Sequence, residues 1–338
     1  MRVPISGLSD MRWSSTLRFQ KRGLGHLSED RLRYNQPMVT EPQDPKPRVL
    51  FVGRTTFDAL YWLDHLPEED SKVYARQFHA AVGGPAANAA LTHAQLGGES
   101  FLISAVGSGP WAAAVRAEFH RRGIRLLDLA AGTVFETPLT AVLLGSGRAS
   151  RTIVNPPLAS LALPALPEEW AQAVPEEWGA IPSIVLSDGW HLAEMLPLLA
   201  DCKEAGAEIC LDGGSCKPGT ERLAPLLTTA ICSERFVLSA AIAPAAQNDP
   251  EGIAAWFAAQ GVAQIAVTRG ARSILGWERG RRFEIEIEAI QAADTLGAGD
   301  VLHGAYCSFR AQGAAFEAAL RQAAHVATES CKALGIRP

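Results

Sequence analysis

The sequence predicts an α/β fold in which a mostly parallel sheet is covered by helices on both faces, making three layers, with a small antiparallel sheet attached. Three observations lead there. At 338 residues, 48% hydrophobic and 20% charged, the chain has the length and composition of one large α/β domain carrying an accessory piece. From residue 181 onward, short apolar runs alternate steadily with helix-length stretches, the pattern of a parallel sheet with helical crossovers. Two pairs of short runs, within 59–82 and 139–155, break that rhythm and fit a separate antiparallel sheet.

The elements follow in order. Arg48-Val-Leu-Phe-Val-Gly53 is a short apolar run ending in glycine and reads as a buried strand. Residues 59–65 and 73–82 read as two strands, separated by the charged Glu68, Glu69, Asp70 and Lys72. Ala86 to Leu96 is an alanine-rich helix closed by Gly97-Gly98. A strand at 101–106, a helix at 110–122 and a strand at 124–129 come next, then short strands at 139–145 and 151–155. Ile184–Ser187 is a strand, 191–205 a helix and Glu208–Asp212 a strand. A helix at 219–229, a strand at 235–239, a helix at 250–260 and a strand at 263–268 continue the alternation. A hairpin at 272–277 and 282–287 precedes helices at 297–311 and 314–333. Residues 1–47 carry seven of the chain's Arg and Lys outside the linker but no sustained apolar periodicity, so they are expected to be a poorly ordered extension and linker, with the domain at 48–338.

Several function classes drop out. No apolar run reaches the roughly 18 residues a membrane span needs, and no membrane partner is expected. The net charge of −5 argues against a nucleic-acid partner. The six cysteines stand in no C-x-x-C spacing, and no cluster of side chains reads as a metal site; reduced thiols in a cytoplasmic protein are expected. Gly107-Ser-Gly109-Pro-Trp-Ala112, with Asp128 about twenty residues on, imitates a dinucleotide fingerprint. A fold of that kind opens with the unit, whereas at least three strands precede it here.

The stronger chemical signal is Asp294-Thr-Leu-Gly-Ala-Gly-Asp300 at the start of the helix at 297–311. Small residues at a helix N-terminus leave backbone N–H groups open, and the helix dipole adds positive potential. An anion docked on Gly297, Ala298 and Gly299 would face Asp300. Phosphoryl transfer needs this pairing of charge-stabilising donors with a carboxylate that takes the acceptor's proton. The chain has no G-x-x-x-x-G-K-[ST], so it is no P-loop enzyme.

Asp294–Asp300 resembles the second signature of the ribokinase-like, PfkB-type carbohydrate kinases, and Ala81-Val-Gly-Gly-Pro-Ala-Ala-Asn88 with Leu96-Gly97 resembles the first. The resemblance covers residues 48–338 and implies a ribokinase-like fold whose small sheet is a lid over the sugar, and whose lids clasp in a homodimer. It implies ATP with Mg²⁺ as phosphoryl donor and leaves open a monovalent cation such as K⁺. By position, Asp300 becomes the catalytic base, and the amides of Gly297, Ala298 and Gly299 the anion hole. Asp58, Gly83, Gly84 and Asn88 line the sugar pocket, while Thr268, Gly270, Ser239 and His303 lie beside the nucleotide. Leu66-Pro-Glu-Glu-Asp-Ser-Lys72, Asp188-Gly-Trp-His191 and Leu211-Asp-Gly-Gly-Ser-Cys-Lys-Pro-Gly219 look closer to the ketohexose and sulfofructose kinase branch than to ribokinase. Lys72 and Asn155 match positions that grip a sulfonate in that branch, but Gly189 replaces the arginine expected beside Asp188.

The family commonly carries Asn-x-x-Glu after the strand expected at 235–239. Ser239-Ala-Ala-Ile242 stands there instead, and the chain stops at Pro338, short of the usual closing helix. Two functions therefore stay open: an ATP-dependent kinase acting on a ketose-type sugar, or a catalytically weakened relative that binds sugar or regulates.

Overall fold

The computed structural model describes residues 46–145, 150–157, 162–163, 179, 181–239, 242–243 and 249–334. The expected N-terminal extension, up to residue 45, lies outside them, as do residues 335–338. In chain order the elements are β1 (Arg48–Val52), β2 (Thr56–Leu63), β3 (Gln77–Gly83), α1 (Pro85–Gln95), β4 (Glu99–Ser104), α2 (Gly109–Arg122) and β5 (Arg125–Asp128). Then come β6 (Leu139–Gly145), β7 (Ser150–Val154), β8 (Ile184–Ser187), α3 (Leu192–Glu204), β9 (Glu208–Gly213), α4 (Thr220–Leu223) and β10 (Thr229–Ser233). The chain closes with α5 (Pro250–Ala259), β11 (Gln264–Arg269), β12 (Arg272–Glu278), β13 (Arg281–Ile285), α6 (Ala298–Ala311) and α7 (Phe316–Ser330).

The main sheet has the order β13-β12-β11-β10-β9-β8-β1-β4-β5. Its strands from β5 through β11 run parallel, and β12 and β13 add an antiparallel edge. Successive side chains of a strand point to opposite faces, and in a sheet covered on both sides each face needs its own apolar partners. Along β1, Val49 and Phe51 enter one core with α1, α2, α6 and α7, while Leu50 and Val52 enter the other with α3 and α5. All four are 0% exposed, which is why the run reads as continuously apolar rather than alternating. The three expected layers are present.

One strand sits elsewhere than expected. The run at 235–239 is not in the sheet; the strand is β10, at Thr229–Ser233, and the helix expected over 219–229 is only α4 followed by a 3₁₀ turn at Ala224–Leu226. Pro225 removes a helical N–H and blocks a longer helix. Phe236 and Leu238 are buried and Val237 is exposed, an alternation that imitates a strand. β11 is already paired to β10, however, so this segment has no ladder to join.

The small sheet has the order β3-β2-β6-β7. Each outer pair is antiparallel as expected, but β2 and β6 join in parallel. Alternation turns Thr56, Asp58 and Leu60 inward, all buried. Tyr61 and Phe78 are register partners on the opposite face, with ring centroids 5.0 Å apart. They and Ile153 are exposed, whereas Leu60 packs into the core.

Candidate functional site

The candidate site lies where β1, β8, β9 and β10 end, beside α1, α6 and the inner face of the small sheet. Ligands of open α/β sheets gather at the carboxyl ends of such strands. Gly297, in the left-handed region at φ 70°, caps α6, and Ala298 and Gly299 form its first turn. A Cβ added at Gly299 would meet nothing, so the turn is open. Val301 N–H already bonds Gly297 O, which leaves the amides of Gly299 and Asp300 as first-turn donors without an intrahelical acceptor.

Asp300 Oδ2 accepts a 2.7 Å hydrogen bond from Asn88 Nδ2 on α1, across 212 residues of sequence. Burial and then the Asp212 charge push the Asp300 carboxyl up to about 7, against the Asn88 hydrogen bond and the His303 charge. His303 Nδ1 lies 2.7 Å from Gly299 O and 3.3 Å from Asp212 Oδ2, and its Nε2 lies 3.1 Å from Ile231 O. The ring thereby pins α6 to the ends of β9 and β10.

Asp58 is buried on β2, where Thr56 Oγ1 donates to it at 2.6 Å. Burial raises its pKa to about 6. Gly83 packs directly on that carboxylate, since a Cβ there would sit 2.0 Å from Asp58 Oδ2. Gly84, at φ 97°, caps α1, and a Cβ on it would meet Arg54 O at 2.4 Å. The glycine pair of the first signature thus lets the end of β3 press against β2 and the end of β1. Asp188 accepts from the backbone N–H groups of Arg54 (2.8 Å), Trp190 (3.0 Å) and Ala86 (3.2 Å), joining β1, β8 and α1. Burial pushes it up to about 6 despite those bonds.

The other expected residues divide. Asn155, at the end of β7, accepts through Oδ1 from Arg54 (3.1 Å) and Thr140 (3.3 Å). Thr268, at the end of β11, donates to Cys232 O, and Gly270 makes the exposed turn after it at φ 65°. Lys72 is exposed in the β2–β3 connection and makes no hydrogen bond or ion pair among the described residues. Ser239 is exposed and six residues past the end of β10, so the strand end expected there belongs to Ser233. Glu234 follows immediately, paired with Arg272, so a carboxylate does stand at that strand end. Asp128, the ribose partner of the imitated fingerprint, accepts from Val106 N, Gly107 N and Ala130 N and pairs with Arg116. It caps its own turn.

Sequence reasoning gave no site role to Arg54, nor to Trp190 and Lys217 within the segments it quoted. Arg54 is 7% exposed, with its Cζ 4.7 Å from the centre of the Trp190 ring, and Lys217 Nζ lies 5.3 Å from the same ring. The stem of Lys217 passes the Gly189 position, with Cγ 3.2 Å from where a Cβ would stand. The available signal was position: Arg54 directly follows the first buried strand, at the sheet edge where ligands collect.

A family model for the pfkB carbohydrate kinases matches residues 46–338. The chain belongs to that family. Its fold is similar to a putative ribokinase from Agrobacterium tumefaciens at 23% identity and TM-score 0.74, covering 86% of this chain and 92% of that one. It is also similar to Arabidopsis thaliana ribokinase complexed with ribose and ATP, at 20% identity and TM-score 0.66, covering 86% and 94%. A ribokinase from Giardia lamblia gives 14% identity and TM-score 0.71, covering 86% and 95%. At these identities the structures show the fold. Family membership makes the protein a phosphotransferase with an alcohol acceptor and implies ATP, usually with Mg²⁺. Among the described residues, no helix is long and apolar enough to cross a membrane.

Proposed function

We propose that this kinase transfers the γ-phosphoryl group of ATP to a hydroxyl of a ketose-type sugar, with Asp300 as the base. The observation that carries the reading is the juxtaposition of Asp300 with the open first turn of α6. A carboxylate with proton affinity near 7 stands beside amides that can accept a phosphoryl oxygen. Asp300 takes the proton of the attacking hydroxyl, and the amides of Gly297 and Gly299, with that of Asp300 itself, stabilise the charge on the moving group, whereas the Ala298 N–H expected among them bonds Thr295 O at 3.4 Å. Asn88 orients the carboxylate. Asp58 offers acceptor oxygens to sugar hydroxyls, with Gly83 and Gly84 keeping the wall close. Thr268 and Gly270 flank the nucleotide, and His303 holds the floor beneath it.

Ketose preference rests on the resemblance of the segments around Leu66–Lys72, Asp188–His191 and Leu211–Gly219 to the ketohexose branch. Lys72, exposed in the β2–β3 connection, is assigned to the sugar by the resemblance. Two copies joined through their small sheets, in the cytoplasm, complete the proposal; the exposed Tyr61, Phe78 and Ile153 supply apolar area for the contact. The test is sugar-stimulated ADP release with Mg²⁺ across a panel of ketoses and aldoses. Turnover with a ketohexose above the aldoses is expected. Sugar binding without turnover on any member would favour the weakened, regulatory reading instead.

A further inference from the structure

We propose that His303 is a positioning residue for Asp300: held as an imidazolium between Asp212, Gly299 and Ile231, it fixes the first turn of α6 and keeps the neighbouring carboxylate ionised. This rests on the reading of Asp300 as base and adds the group that keeps it ready. His303 is buried, and among the described residues its two ring nitrogens meet only acceptors. Nδ1 lies 2.7 Å from Gly299 O and 3.3 Å from Asp212 Oδ2, while Nε2 lies 3.1 Å from Ile231 O. A neutral imidazole donates from one nitrogen and offers a lone pair from the other. In this pocket that lone pair would face a carbonyl oxygen, and a buried polar group left without its partner is costly. The doubly protonated ring answers both sides.

Asp212 supplies the opposite charge. It is buried at the end of β9, and its Oδ1 accepts from Gly214 N–H at 3.1 Å. Its Oδ2 has no hydrogen-bond partner among the described residues, and His303 Nδ1 is the cation beside it. A buried carboxylate oxygen without a donor needs such a charge nearby. His303 also follows Asp300 by three residues on α6, so one imidazolium serves two carboxylates. The other charged and titratable groups around the pair come from the neighbouring strand ends and α6. They are Asp188 after β8, Lys217 after β9, and the Cys232 and Cys307 thiols, which burial holds protonated. Lys217 feels Asp188 more strongly than Asp212, and its ammonium is tethered to Ser215 O at 3.1 Å.

The ring acts on Asp300 in two ways. After burial, Asp212 is the charge that most opposes ionisation of Asp300, and the His303 charge works against it. With the ring neutral, Asp300 would stay protonated to higher pH and could not take the proton of the attacking hydroxyl there. The second way is geometric. The Gly299 carbonyl that Nδ1 holds belongs to the same peptide as the Asp300 N–H, one of the open donors of the first turn. Holding that carbonyl therefore also aims the donor.

Two measurements on the full chain test this. Nitrogen NMR of the histidine rings, without nucleotide or sugar, reads protonation directly, and His303 is the signal lost in His303→Asn. Both of its nitrogens should carry protons at pH 7, and a single protonated nitrogen overturns the proposal. The second measurement is the pH profile of kcat/KM for His303→Asn and His303→Gln. The first variant keeps a donor toward Gly299 O and the second one toward Ile231 O, and both lose the charge. In both, the acid limb should move up by about half a pH unit or more, a deficit of about 3-fold at pH 6 that closes above pH 8. A deficit equal at every pH is what a packing role would give, and it overturns the proposal. If neither variant folds, the His303 signal is assigned by its displacement in Asp300→Asn, and the ring's protonation alone decides. A doubly protonated ring in a chain that no sugar stimulates to release ADP supports the charged pair and counts against the kinase reading alone.

Discussion

Asp300→Asn separates catalysis from stability, because the structure charges the carboxylate a cost that the amide does not bear. Asp300 rises from the ordinary carboxylate value to about 7, at most about 4 kcal/mol between its two protonation states. The group is partly open to the cleft, so about 1–2 kcal/mol is the share expected to reach the folding equilibrium. The sign follows from proton binding. A carboxyl whose folded pKa exceeds its unfolded one favours folding at low pH, and that contribution is lost as pH rises from about 4 through about 7. Replacing it by the isosteric amide, which still offers Asn88 an acceptor, should raise the melting temperature by a few degrees at pH 8 and by little at pH 5. Turnover should fall by about 10²–10⁴-fold, with sugar affinity changing far less. Thermal melts at both pH values, with ADP release and sugar binding, check all three. A variant keeping more than about a tenth of wild-type kcat refutes Asp300 as base, and a melting temperature lowered at pH 8 refutes the electrostatic reasoning.

Wild-type kcat/KM should fall as pH drops through about 7, since the base must be ionised, and a pH profile flat from 6 to 8 would contradict the Asp300 pKa. Gly304 faces α1 so closely that an added Cβ would lie 2.4 Å from Ala89 O; Gly304→Ala should cost about 1–3 kcal/mol, read as a lowered melting temperature. Removing residues 1–45, which precede the family match, should leave folding and activity unchanged, and loss of soluble protein would contradict it. Light scattering should give about twice the 36.1 kDa chain mass, and Phe78→Glu should return it to one chain, because a carboxylate would then be buried at the contact.

The sequence by itself determined what depends on neighbours along the chain. The glycine run before Asp300 marks an open helix start because missing side chains and a left-handed cap are local properties. The continuous apolar runs announce a sheet buried on both faces for the same reason. Tertiary structure decided what depends on partners far away. The strand at Thr229–Ser233 was hidden because its competitor at 235–239 has the better alternation, and only the pairing of β11 with β10 excludes the competitor. Nothing near Tyr61 or Leu60 in sequence says which turns outward; the packing of Leu60 into the core does. Asn88 meets Asp300 across 212 residues, and Arg54 meets Asp188 across 134. The charge of Arg54 was legible from the start, but its place against the Trp190 ring with a hydrogen bond to Asn155 is a property of the packed cleft.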